Sequence, residues 1–503
     1  MTTTVSGPAW SSEAMAPEER GQYPLGVEGA IAFHARNLVP FTTTVTAHPR
    51  YYALHARAAA AGLPDAVAAD ELTRRLEVLL AAASLQHARS APDAHDPGGT
   101  LSEPHGFRVI GAALDDGGLN LAVLAETYGG NRAGYSGAYR GVEQAFGLSG
   151  GPSAARAPLP TQALAALDPL VALASKEVVA LSDLSEPSLC LCALRTSADG
   201  EALRQAFFAS DDDAVPTDVR AARQISRVSA RLCLTALDTK PTDTSVTAAL
   251  AELCCYGDVA AKLPEDSVAC AATAARWRGA LLRNESVTAW RWLWWWLTDA
   301  LDKAPSTAEV LTASFANALV TFAGQDMLFS KAVHGELPTG RASNGTLLPA
   351  ERELRDAADS AYDTEPLLWL RMLALGCRRL DELDEPALQH FNIGQDDWNP
   401  TQTREYLSGL QDKRLSKVAE DLVPRLLRRA QLVARRRQQW TRHGLRMPTR
   451  LRPVGDILYV TGPEGTGEAA LRQFRLVQML SALGVLGTSS NKWTPGAHAG
   501  VLG

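Results

Sequence analysis

Between residues 65 and 89, Leu72, Leu76, Leu79, Leu80 and Ala83 recur at spacings of three and four. That period puts them on one stripe of an α-helix and does not suit the two-residue alternation of a half-buried strand. Similar amphipathic runs fill residues 161–333, divided by proline or short polar turns at intervals of roughly 20 residues. Further runs cover 350–361 and 365–380, and two long basic helices are expected over 402–422 and 425–443, split by Pro424. Alanine, leucine and arginine are frequent and aromatics make up 6 %, a mixture that favours helices over sheets. The C-terminal part offers the one good strand, Asp456–Thr461, with a helix expected from Glu468 to Leu483 and a frayed or lightly docked tail after it.

The expected fold is therefore mainly α: a multi-helix globular body, a basic long-helix region and a small C-terminal α/β element. Clusters of glycine, proline and serine suggest boundaries. They divide the chain into a loose leader (1–21), an N-terminal helical domain (22–150), a central helical domain (151–333), a helical region with the basic arm (350–452) and a strand–turn–helix element with tail (453–503). A length of 503 residues suits two to four domains. The opening segment lacks a basic stretch followed by an apolar one, so no secretory leader is expected. Uninterrupted apolar runs long enough for a membrane span are missing. Seven cysteines lying mostly among apolar residues suit reduced thiols, and a cytoplasmic setting is expected.

Charge is the second constraint. The net charge is −7, yet residues 413–452 hold 13 Lys and Arg against two acids, Glu420 and Asp421. On a helical wheel Arg425, Arg428, Arg429, Arg435, Arg436 and Arg442 share one side, and Leu426, Leu427, Ala430, Val433, Ala434 and Trp440 the other. Arg437 and Arg446 extend the basic run. Arginine grips phosphate bidentately and stays charged, so the stripe points to DNA or RNA. The plainer reading is a solvated helix, or one docked on an acidic protein surface.

Other candidates are weaker. GPEGTGEA (462–469) has P-loop spacing at Gly462 and Gly467, with Gly465 between them, and resembles the phosphate-binding loop of P-loop NTPases. Glu468 and Ala469 stand where that family has its lysine and its Ser or Thr, so only an anion-binding loop or a plain connection is expected. Trp277, Trp290, Trp292, Trp294, Trp295 and Trp296 point all round one helix and read as core. Residues 33–57 gather His34, Arg36, His48, Arg50, Tyr51, Tyr52, His55 and Arg57, which suit acid–base work on a phosphate or, more plainly, packing. Cys190-Leu191-Cys192 and Cys254-Cys255 have no matching His or Cys pair nearby, so neither a metal nor another cofactor is expected.

YPLGVEGAIAFHARNLVPFTTTVTAHPRYYALHA (23–56), YSGAYRGVEQAFGL (135–148) and EALRQAFF (201–208) occur in that order. The set resembles a group of bacterial proteins found beside helicases and nucleases in phage-defence islands. The resemblance covers the first two-fifths of the chain and implies a context, not catalytic residues. The combined expectation is a non-catalytic, nucleic-acid-associated accessory or adaptor of an anti-phage system, with a helicase or nuclease among its partners. A purely structural scaffold is the alternative, and an unrecognised nuclease or nucleotide-using effector a second.

Overall fold

The computed structural model describes the chain apart from residues 1–23, 64, 97–102, 129–133, 150–154, 210–213, 240–244, 260–266, 361–364, 395–397, 442–443, 447–448, 463, 465–468, 470, 490–491 and 503. The fold is mainly α, with sheets of two or three strands among the described residues. No described helix is long and apolar enough to cross a membrane. The chain forms two compact units, one of residues 1–34, 254–258 and 275–471, the other of 35–253, 259–274 and 472–503.

The second unit is built on the helix Ala66–Ser90. Asp65 caps its start, accepting the Ala68 amide, and Leu76 and Val78–Ala83 are buried. With Glu77 and Ser84 also buried, the middle of this helix is covered on every side, more than the single stripe the spacing encodes, and helix Arg50–Ala59 lies against it. Aromatic rings fill the adjoining core. Tyr52 sits edge-on to Tyr139 at 4.9 Å and to Phe207 at 5.5 Å, and Phe146 meets Phe207 at 5.0 Å. Helix Gln473–Ala482 and the hairpin Leu486–Ser489/Lys492–Pro495 complete this unit. Of the two expectations for the tail, frayed or lightly docked, the structure shows docking. The Gly496 amide donates to the Val485 carbonyl, His498 Nε2 donates to the Arg195 carbonyl at 2.7 Å, and Leu502 is buried. These partners lie too far off in sequence for local composition to reveal them.

In the first unit, helix Pro366–Glu382 is buried along most of its length. From Ala275 on, the helix Ser267–Lys303 carries the tryptophans. Trp277, Trp290 and Trp294 are buried, and Trp292 stacks on Trp369 with rings 5.1 Å apart and 3° from parallel. At Gly279 a methyl group would come within 2.6 Å of the Ala387 carbonyl, so the close approach of helix Glu385–Phe391 requires glycine. The expected strand forms as Ile457–Val460. It is the middle of an antiparallel sheet, between Leu451–Val454 and Ser306–Thr307.

Candidate polyanion-binding tip

The basic segment is one helix, Leu415–Arg436, and Pro424 lies inside it. The expected break at Pro424 does not occur. Proline there forfeits one backbone hydrogen bond, but Leu422, Val423, Leu426 and Leu427 bury on either side of it, in a helix packed along Ala308–Ala323. The preceding helix ends early, at Ser408. A remote carboxylate sets the start: Asp326 accepts the Ser416 amide at 3.1 Å and the Ser416 hydroxyl at 2.9 Å.

The arginine stripe divides into two sets. Arg429 is buried, with Nε donating to the Leu25 carbonyl at 2.8 Å. Arg425 lies over the Tyr406 ring at 4.3 Å and the Trp398 ring at 5.6 Å. Both serve the fold of this unit. Arg428, Arg435, Arg436 and Arg437 are exposed. Arg435 and Arg436 occupy the last turn, where cations complement the negative end of the helix dipole. The helix stops at Arg436, so Trp440 is not on its apolar face as the wheel implies. It lies in strand Gln439–Thr441, opposite Leu445 of strand Gly444–Arg446, and is 83 % exposed. Arg446 lies in that second strand, and Arg442 is outside the described residues.

The described residues of the glycine loop are ill-suited to phosphate. Gly462 has φ +147°, a conformation glycine takes readily, while Gly465 and Gly467 lie outside the described residues. Glu464 is buried in this loop, and that burial pushes its carboxyl up to about 7. The backbone of Ala469 is already engaged, exchanging two hydrogen bonds with the Asn284 side chain at 3.1 and 3.2 Å.

In the N-terminal segment His34, His48, Arg50, Tyr51, Tyr52 and His55 are buried, Arg36 is exposed, and half-buried Arg57 pairs with Asp168 at 2.8 Å. His55 is held between Glu143 (2.7 Å) and Glu77 (2.8 Å), all three buried. Burial alone would push its pKa down, but the hydrogen bonds its ring N–H groups donate to Glu143 and Glu77 outweigh it and raise His55 to about 9. His105, 2.8 Å from the Tyr139 hydroxyl, is pushed down to about 3 by burial and by the facing His48 and His55.

A cleft of about 240 Å³ in the first unit is lined by Tyr256, Asp258, Arg278, Arg341 and Glu382, among others. Arg278 is committed to the Cys254 and Gly257 carbonyls and to Asp384. Cys255 beside it is pushed well above the usual thiol range by burial, the reverse of what a nucleophile needs.

Around Cys190 and Cys192 the fold supplies the pair that the neighbouring sequence does not contain. His87, in the last turn of Ala66–Ser90, and His95, just beyond it, face the two sulfurs. The hydrogen bond with Cys190 and the facing His87 hold the Cys192 thiol low. The sequence marks the cysteine half of this set, but its other half is two histidines eight positions apart, which match no usual ligand spacing.

Fold and tip together define a mainly α protein with an exposed, arginine-rich helix end. No family model, curated protein or solved structure matches the chain.

Proposed function

We propose that the protein is a cytoplasmic, non-catalytic accessory that holds single-stranded nucleic acid on the exposed end of its basic helix. Its setting is an anti-phage system that includes a helicase or nuclease. One observation carries the reading: Trp440 stands 83 % exposed just past the turn that bears Arg435 and Arg436. Arg428 and Arg435 lie two turns apart on one helix face. Helix stability accounts for arginines at a C-terminus, but not for a bare indole beside them. Guanidinium groups neutralise phosphates and an indole stacks on an unpaired base, a combination that suits single strands. The N-terminal resemblance supplies the defence context.

Salt-titrated fluorescence anisotropy with single- and double-stranded oligonucleotides tests this. Wild type is expected to lose affinity steeply with log salt. Arg435/Arg436/Arg437→Ala flattens the slope by roughly one ion per lost phosphate contact. Trp440→Ala weakens single-strand binding by about 1–3 kcal/mol. No wild-type binding at low salt overturns the proposal and leaves a scaffold whose basic end docks on an acidic protein.

A further inference from the structure

His87 Nδ1, His95 Nδ1, Cys190 Sγ and Cys192 Sγ all lie within 4.8 Å of one another. The His87 and His95 nitrogens are 3.4 Å apart, Cys190 Sγ is 3.3 Å from His95, and Cys192 Sγ is 3.3 Å from His87. With zinc–nitrogen bonds of about 2.0–2.1 Å and zinc–sulfur bonds of about 2.3 Å, a tetrahedron has N–N edges of about 3.3 Å and S–N edges of about 3.5 Å. The three observed separations match those edges closely. Thiols and imidazoles can hydrogen-bond one another, but here four groups that each ligate soft divalent metals converge on one half-buried point. We infer that this unit binds one Zn²⁺ in a Cys₂His₂ site made of His87, His95, Cys190 and Cys192.

The surroundings are those of a built site. Three segments carry the ligands, and each is tied to another near the metal position. Ser84, one turn before His87, accepts the Leu191 amide at 3.0 Å and donates to the Leu80 carbonyl at 2.7 Å. This ties the cysteine loop to the ligand-bearing helix. Arg195, three residues past Cys192, pairs with Asp96, the neighbour of His95, at 2.7 Å. Buried Arg50, paired with Asp199 at 3.0 Å, donates to the Cys190 carbonyl. The Cys192 amide donates to Cys190 Sγ at 3.4 Å, offering that sulfur the amide contact that steadies a thiolate. Binding through Nδ1 leaves each imidazole with its proton on Nε2.

Metal and role follow from the donors. Two thiolates and two neutral imidazoles cancel the charge of a divalent ion, so the assembly enters a half-buried place with no net charge. A Rieske-type pair of irons would put the sulfurs on one metal and the nitrogens on the other. Here each sulfur has a nitrogen 3.3 Å away, and all four donors fit round one ion. Four protein ligands leave no open position for substrate, so the ion is a structural clip. It joins the end of helix Ala66–Ser90 to the turn Leu191–Arg195. This inference is independent of the nucleic-acid reading.

The test uses the full-length protein, purified under reducing conditions from zinc-supplemented medium. Elemental analysis is expected to find about one zinc per chain. Cobalt exchange gives the intense visible bands of a tetrahedral thiolate site. Chelation lowers the melting temperature and opens Cys190 and Cys192 to iodoacetamide. Cys192→Ser and His95→Ala cut the zinc content at least tenfold, while Cys254→Ser retains it. Should these ligand variants fail to fold, the wild-type chelation and alkylation results decide alone. Wild type that takes up neither zinc nor cobalt, with both cysteines alkylated at the same rate with and without chelator, overturns the inference. So does an intact mass showing a Cys190–Cys192 disulfide in the freshly purified reduced protein.

Discussion

His55 shows how one buried side chain acquires a charge by virtue of its neighbours. Its two ring nitrogens meet Glu77 and Glu143, and the pKa rises from 6.5 to about 9. A group whose pKa is higher folded than unfolded takes up its proton with folding. Its contribution is therefore complete below pH 6.5 and lost as the pH climbs through about 9. The size is on the order of 3 kcal/mol, from 1.36 kcal/mol per unit. Urea unfolding of wild type should show its midpoint dropping between pH 6.5 and 9.5. In His55→Gln that drop should largely vanish, on a lower baseline. An unchanged pH profile in the variant would show that His55 is neutral between its carboxylates. The sequence placed His55 among histidines and arginines that suit acid–base chemistry. Glu77 and Glu143, the residues that decide its state, come from two other helices and carry no local mark as its partners.

At the level of elements, helix existence was readable and helix ends were not. The three–four period reveals the helix Ala66–Ser90, although the core covers its middle on every side, with Leu76 to Ser84 all buried. The basic helix illustrates the failure. Proline at 424 reads as a stop, and the true start is set by Asp326, far upstream and outside any local pattern. Asp326→Ala removes both bonds to Ser416 and should lower unfolding stability by about 1 kcal/mol. It should also speed amide exchange in the first turn after Leu415, measured by mass spectrometry. Unchanged exchange there would mean that the turn is held by packing alone. The arginine stripe was likewise visible as a stripe. Its division into Arg425 and Arg429, which serve the fold, and Arg428, Arg435 and Arg436, which face out, depends on Trp398, Tyr406 and the Leu25 carbonyl. The same holds for the metal-ligand set, whose halves meet only when the turn Leu191–Arg195 returns to the end of a helix formed about a hundred residues earlier.

For the molecule as a whole, composition and periodicity were sufficient for the mainly α class. They carried no information on how chain segments are shared between the two units. The second unit takes residues 35–253 and 259–274 and then waits for 472–503. Helix Gln473–Ala482 buries Leu476, Val477, Met479 and Leu480, and Arg195 reaches its Ser481 carbonyl at 3.2 Å. A chain ended at residue 471 should accordingly leave this unit incomplete. Limited proteolysis of that truncation is expected to cut within residues 35–253 at protease levels the full chain withstands. Equal resistance would show that the late segment is dispensable.

The late segment also sets a timetable for synthesis. Between residue 274 and residue 472 a ribosome adding about 5–20 residues per second needs about 10 to 40 s. Throughout that interval the nascent chain carries, uncovered, the apolar surface reserved for Gln473–Ala482. Most of the second unit is made before residue 275, and its remaining segment only after residue 471. Its completion is therefore delayed by the synthesis of residues 275–471, and it is exposed to chaperones and proteases in a way that a unit made from one continuous stretch is not.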